Sequence, residues 1–491
     1  MAKVIIAGGG IAGLAAGVYA QKSGFETVIY ESNRVPGGNC TAWRRKGYFF
    51  EGGMHWLNGS SPGRMLHRVW REVGALSPAS RIITADPFMV CLWEGERICL
   101  YRDPGRLEDQ LRALSPEDGP AIKNLCGEIR RFMPLQLPVT DLPGLKVREK
   151  APAAPGALLR MLPALSRVLP LGKQRTADYA ARFRHPGIRM LLRGVVPPDY
   201  DAASLFYTLA NFASGDGGYV EGGSPKLSAG MAGRFTELGG VIRYGERISR
   251  IVVKNGRAAG VIAGGEYIPA DAVIVAADAL AAVDTLFDEP VRKGWTGRMR
   301  RDTIPLVSTF VCMGVEADLS SWDENVLFPL KRPYEYGGVR FTGARFYNYA
   351  AYPGYAPEGC SVLTTILRGD TYEYWKDARD RGLYDQRKKE LFETIRDRFG
   401  EQIPGLAGKA AVWDVATPLT YERFCGSYHG SWMTMTPPGS RRTPYPCTVP
   451  GIGGLYFAGH RMRPPGGMPV AVYSGRTAAQ RLCRDFGAVF G

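Results

Sequence analysis

Gly8, Gly10 and Gly13 stand at the spacing Gly-x-Gly-x-x-Gly, which suits a turn that cradles phosphates. Gly8 permits the tight turn, Gly10 lets the backbone approach a pyrophosphate, and Gly13 lets the next helix lie close to its sheet. Ile11 and Ala12 open that helix, whose free N–H groups and positive dipole end favour an anion. Glu31, with Ser32 beside it, follows about 20 residues on, where a carboxylate accepts hydrogen bonds from ribose hydroxyls. The same charge repels a 2′-phosphate, so NADP is disfavoured. A second group is His55 and Trp56, which close the run Phe50-Glu51-Gly52-Gly53-Met54-His55-Trp56. His55 there can donate a proton or orient a substrate, and the alternative is a structural histidine beside a core tryptophan. Arg461 and Arg463 form a third group, able to steady a charged ring or a substrate head group unless they are a surface pair. His460 reads as structural. No metal chemistry is expected, because the five histidines lack HxxxH or HExxH spacing and the nine cysteines contain no CxxC pair.

The elements that must position these residues follow from local pattern. Lys3–Ala7 is a short apolar, partly β-branched run, as expected of a buried parallel strand. A helix from Ile11 to about Ser23 ends at Gly24, and residues 26–30 form a second strand. In outline the first twenty residues look like a signal peptide, but glycines at 8, 9, 10, 13 and 17 fit the nucleotide turn better. Further along, Glu221-Gly222-Gly223 precedes a helix reaching Gly239-Gly240. Strands follow at Val241–Tyr244, Ile248–Lys254 and Ala259–Ala263, and 271–278 completes the block. Near the end, Gly454–Gly459 reads as a strand, followed by a turn holding Gly466, Gly467, Met468 and Pro469. Helical composition is clearest from Arg476 to Arg484. A helix N-terminus in this region would aim N–H groups at an electron-rich ring edge.

Arg34-Val35-Pro36-Gly37-Gly38-Asn39 resembles the segment that flavoproteins of the glutathione-reductase-like group carry beside the flavin's ribityl chain, and this implies FAD. With the closing GLYFAGHRMRPPGGMPVAVYSG, the chain resembles the phytoene desaturases, carotenoid isomerases and retinol saturases, all FAD-dependent. The AVYSG ending is most similar to the isomerases, and Gly53-Met54-His55-Trp56 is similar to the retinol saturases. The C-terminal loop departs from the desaturases, with Arg461, Arg463 and Pro465 where those keep further glycines and a histidine. The resemblance implies non-covalent FAD held by Gly8, Gly10, Ile11, Ala12, Gly13, Glu31, Ser32, Gly37, Gly38, Asn39, Gly459, Gly467, Met468 and Pro469. It also implies hydride transfer at an apolar, conjugated substrate, with His55, Trp56 and Arg463 as the catalytic candidates. A second dinucleotide fingerprint for NAD(P) is absent from the sequence.

The discontinuous motifs set the architecture: an α/β fold with a Rossmann-type FAD-binding domain and an inserted mixed α+β substrate domain. The first is assembled from 1–75, 215–290 and 445–491, the second from 76–214 and 291–444. A chain of 491 residues is too long for one core, which agrees with two joined domains. The net charge of +15 comes without any zinc-finger, RNP-like or basic-heptad motif, which excludes nucleic acid as a partner. Lys146–Arg193 holds eleven Lys/Arg against Glu149 and Asp178, with leucines and methionines interleaved across Gly156–Leu171. This is either a segment that docks on an anionic membrane surface or a helical flap with one solvated face. Pro163 argues against one long helix there. Scattered thiols point to a cytoplasmic protein, peripherally bound to membrane if the basic segment docks. The aromatic segments Phe341–Tyr355 and Tyr372–Trp375, with Tyr421, Phe424 and Tyr428, either line an apolar tunnel or build core. Three rival functions stay open: a flavin amine oxidase, a redox cyclase acting on a polyene natural product, and a non-catalytic flavin holder.

Overall fold

The computed structural model describes residues 1–149, 155–292, 294–440 and 443–491. Val4, Ile5 and Ile6 have no exposed surface, because their strand, Lys3–Ala7, lies in the middle of a sheet covered on both faces. In spatial order that sheet runs 248–254, 257–263, 452–457, 272–275, 3–7, 26–31, 241–244. The neighbours from 257–263 to 241–244 are all parallel. An antiparallel hairpin of Ile248–Lys254 and Arg257–Ala263 extends one edge. The strands expected at Val241–Tyr244 and Ile248–Lys254 have those bounds, whereas the third starts earlier, at Arg257. It also pairs with a strand absent from the sequence reading, Glu266–Pro269, across Gly264-Gly265. Both glycines have positive φ, as a two-residue hairpin turn requires.

The helix Ile11–Lys22 is buried from Ile11 to Ala20, so it is an interior helix with no polar face, as a helix apolar all round should be. It packs against Gly223–Glu237 and against the closing helix, Met468–Phe486. That closing helix begins eight residues before the expected Arg476. Proline at the first turn is compatible with a helix start, since the N–H it lacks would have no partner there, so Met468-Pro469 begins the helix rather than interrupting the loop.

A second, seven-stranded sheet runs 410–416, 308–315, 361–368, 339–348, 325–336, 89–93, 96–100. Only the pairing of 325–336 with 89–93 is parallel. Alternation along its strands separates two faces. Val311, Met313, Phe346, Leu363 and Leu367 pack against helices Tyr372–Asp380 and Tyr384–Gln402. The other face carries Phe310, Tyr347, Ile366 and Arg368. Trp375 belongs to the helix-side core, so Tyr372–Trp375 builds core rather than a tunnel. A helical layer, including Gly119–Phe132, Pro155–Gly172 and Ala202–Ala213, has its own apolar core. The helix Pro155–Gly172 runs through Pro163 and Pro170, contrary to the expectation that Pro163 would limit it. Lys150 and most of the Ala/Pro patch at 151–156 lie outside the described residues. Among the described residues no helix is long and apolar enough to cross a membrane.

Candidate active site

Two helices begin at one cavity. Ile11–Lys22 starts after Gly10 and Met468–Phe486 after Gly467, and neither has a side-chain cap or an acidic residue in its first turn. No side chain of the cap or first turn therefore offsets their positive ends. The helices can begin side by side because Gly475 lies against the first helix, where a Cβ would overlap the carbonyl oxygen of Ala12. Gly13 serves the same purpose toward the sheet: a Cβ there would overlap the Gly8 carbonyl oxygen. Alone among the expected cofactor residues, Gly13 is not on the cavity wall.

The second glycine segment closes the cradle. The Gly37 N–H donates to the Gly9 carbonyl at 2.9 Å, and Gly10 and Gly37 are bridged in parallel. Glu31 is 4% exposed and does more than wait for a ribose. Its Oε2 accepts from the Gly9 N–H at 2.7 Å, and its Oε1 accepts from the Asn33 N–H and Asn33 Nδ2, each at 2.8 Å. The Ser32 hydroxyl adds a weaker bond at 3.3 Å. Thus Glu31 shapes the glycine loop while its face stays on the cavity. Asn33 also donates to the Phe424 carbonyl and Asn39 accepts from Ser427, tying residues 424–427 over this end.

His55 is positioned by Glu51. That carboxylate has no exposed surface and accepts from the N–H groups of Gly53, Met54 and Ser224 and from the hydroxyls of Ser224 and Tyr219. It pins the loop before His55 to the start of the helix Gly223–Glu237. The His55 ring then stacks on Tyr347, centroids 4.6 Å apart, and lies parallel to Phe310 at 6.1 Å. Burial, and after it Arg345 and Arg368, push its pKa down to about 3. The imidazole is therefore neutral at physiological pH, so donation from an imidazolium is not its role. Its Nδ1 is buried without a partner. Trp56 also reaches the cavity, but its ring meets Phe88 and Phe212 edge-on, which gives it a packing role as well.

The two loop arginines part company. Arg461 is 1% exposed, and its Nε donates to Asp278 at 2.7 Å while its other nitrogens donate to Thr434 and Ser431. Burial alone would raise the Asp278 pKa, but Arg461 and the surrounding donors hold it below the usual carboxylate range. Arg461 is thus a buried brace for the loop, neither a surface residue nor a free cation. Arg463 lines the cavity and, among the described residues, makes no hydrogen bond or ion pair.

The cavity, of about 1720 Å³, joins all of these. Gly8, Gly10, Ile11, Ala12, Glu31, Ser32, Gly37, Gly38, Asn39, Gly459, Gly467, Met468 and Pro469 line it, as do His55, Trp56 and Arg463. Phe310, Tyr347, Ile366, Arg368 and Trp432 continue it along the second sheet, residues that, Tyr347 apart, the sequence reading missed. One signal for them was present: Arg368 ends an otherwise uncharged strand, Ser361–Arg368. Of the expected aromatic lining, Tyr347 and Phe424 reach the cavity. Tyr349, Tyr352 and Tyr355 pack beneath it around Tyr219. Tyr421 packs on Phe310 from behind, and Tyr428 lies against Arg461. A glycine cradle a Cβ would crowd and two uncapped helix ends suit the phosphates of a dinucleotide.

The family described as Flavin containing amine oxidoreductase matches residues 11–483. The chain is 24% identical to a lycopene-forming phytoene desaturase of Pseudescherichia vulneris, covering 99% of this chain and 100% of that one. It is also 24% identical to the chloroplastic prolycopene isomerase of Daucus carota, covering 98% and 80%. Among solved structures, an oxidoreductase from Methanosarcina mazei superposes with a TM-score of 0.59 at 18% identity, covering 98% of this chain and 100% of that one. A putrescine oxidase bound to putrescine gives 0.61 at 15% identity, covering 99% and 98%. These structural likenesses concern the fold.

Proposed function

The chain belongs to the flavin containing amine oxidoreductase family, and from that premise we propose that it is an FAD-dependent oxidoreductase acting on C–C or C=C bonds of an apolar, conjugated substrate. The observation that carries this reading is one continuous cavity that two uncapped helix ends and an aromatic sheet face both line. FAD, when bound, supplies hydride transfer at its ring N5. Gly8, Gly10, Ile11 and Ala12 would hold its pyrophosphate, Glu31 and Ser32 its ribose, and Gly37–Asn39 its ribityl chain. Gly459 and Gly467–Pro469 would face the ring, and the free N–H groups in the first turn of the closing helix would favour negative charge on it. The cavity thiols of Cys40 and Cys425 are each pushed up by burial to about 12, so neither is a thiolate, which supports non-covalent binding.

His55, neutral and stacked on Tyr347, orients substrate by contact rather than by proton donation, and Trp56 and Phe310 add apolar wall that excludes water. Arg463 offers a charge near the loop of the closing helix. The division of labour follows the sheets, with 1–75, 215–290 and 445–491 holding the cofactor and 76–214 and 291–444 the substrate. The amine-oxidase alternative is disfavoured because the substrate end presents Arg368, which repels a protonated amine. The carotenoid-type relatives also favour the polyene reading.

A lipid surface is the proposed source of substrate. Met161, Leu165 and Val168 of the helix Pro155–Gly172 wall the cavity, while Leu159, Leu162 and Leu169 are 67%, 52% and 76% exposed. An apolar outward face beside basic residues suits interfacial docking. The deciding experiment is the visible spectrum of the purified protein, followed by anaerobic addition of polyenes of graded saturation. Bleaching of the flavin band by a partly saturated polyene supports desaturation, and turnover only after prior reduction supports saturation or isomerisation. Absence of bound FAD would sink the whole reading.

A further inference from the structure

We propose that the sheet floor of the cavity carries an anion subsite, centred on the Arg368 guanidinium with Arg345 behind it, that takes the carboxylate end of a long apolar substrate. This rests on the polyene reading above and narrows it to polyene acids.

Strand register brings the groups together. Tyr347 lies opposite Thr364, so Arg345, Tyr347, Ile366 and Arg368 share one sheet face by alternation. Arg368 lines the cavity, and among the described residues its side chain makes no hydrogen bond or ion pair. Arg345 donates to Asn325 Oδ1 at 2.6 Å and to the Gly194 carbonyl at 2.8 Å, with its guanidinium 4.5 Å from the Tyr347 ring centre. Its Nη2 is buried without a partner, as is Nδ1 of His55, whose ring stacks on that same Tyr347.

The electrostatics point the same way. Burial and then Arg345 pull the Arg368 pKa down to about 10, and no carboxylate is among the groups that act on its charge. Burial likewise lowers the Arg345 pKa, again with no carboxylate acting on it. A guanidinium at about 10 is still protonated at neutral pH, so losing a proton does not relieve the cost of burying it. A bound anion does. The planar fork of one cavity-facing guanidinium matches a carboxylate bidentately, and His55, held neutral, can present an N–H beside it. Phe310 and Ile366 next to Arg368 supply apolar wall for the attached chain.

The test uses the flavin-loaded enzyme, with binding followed by perturbation of the flavin spectrum. All-trans-retinoic acid is compared with all-trans-retinol in the unaltered protein and in Arg368→Met and Arg368→Lys. The acid is expected to bind at least about tenfold more tightly than the alcohol, the worth of one charge-assisted pair. Arg368→Met should reduce that advantage to parity, and Arg368→Lys should restore part of it. Equal binding of acid and alcohol to the unaltered protein overturns the subsite while leaving the polyene reading intact. Binding of neither removes both. Inorganic phosphate is the control: displacement of the acid by phosphate at equal concentration would overturn the assignment to a carboxylate.

Discussion

At the scale of single residues, the most informative side chain is a histidine that cannot easily be charged. His55 is held near 3 by burial and by Arg345 and Arg368, and burial and then Arg461 push His460 down to about 4. In the unfolded chain both would titrate near 6.5. The unfolded state therefore binds more protons in that interval, and stability falls as pH falls. The contribution is complete above pH 6.5 and is lost progressively as pH drops toward 4 and then 3. Thermal melts at stepped pH should show this decline, and His55→Gln should flatten it. Identical slopes in the two proteins would refute the assignment. The sequence singled out His55 by its place after a glycine turn. It could not show the two arginines that add to burial in keeping it neutral, because both lie some 300 residues away along the chain and arrive only through strand pairing.

Helices and strands carry the next level. The closing helix must touch the first helix at Gly475, where Ala12 and the Cβ of Ala15 leave no room for a side chain. Gly475→Val should cost about 1–3 kcal/mol by overpacking and lower flavin content as the two helix ends separate. Urea melts and the flavin-to-protein absorbance ratio measure both, and a variant with full flavin content would contradict the shared-cradle argument. The helix Pro155–Gly172 yields a different prediction. Glutamate at Leu159, Leu162 and Leu169 together should abolish flotation with anionic vesicles and leave the melting temperature unchanged, since these side chains are exposed. Unaltered protein that floats with no vesicle would end the docking idea. Composition foretold the apolar, basic character of this helix, but the continuous path through Pro163 and Pro170 was not legible, because packing of Met161, Ala164 and Leu171 stabilises a backbone that propensity alone disfavours.

For the whole molecule, one cavity bridges the parallel sheet and the mixed sheet, so a ligand there couples the two. Added FAD should raise the melting temperature of protein stripped of flavin, in one cooperative transition. At hundredfold excess over its dissociation constant the gain is about 2.7 kcal/mol. A melt in which only one of two transitions moves would show that the cavity does not join the halves.

The sequence by itself determined the start of the parallel sheet and its glycine turn. A fingerprint read over 31 residues is local: strand, turn, helix and acidic residue are neighbours in the chain, and their geometry follows from backbone conformation and burial. The closing loop was legible only in part, since its helix starts at Met468 and not at Arg476. Tertiary structure alone decided the cavity wall on the mixed sheet. Arg368, Arg345, Phe310 and Tyr347 acquire meaning only when distant strands are in register, and a one-residue slip would turn each to the opposite face. Likewise Arg461 looks free in the sequence and is a brace in the fold, because its partner Asp278 comes from another strand end.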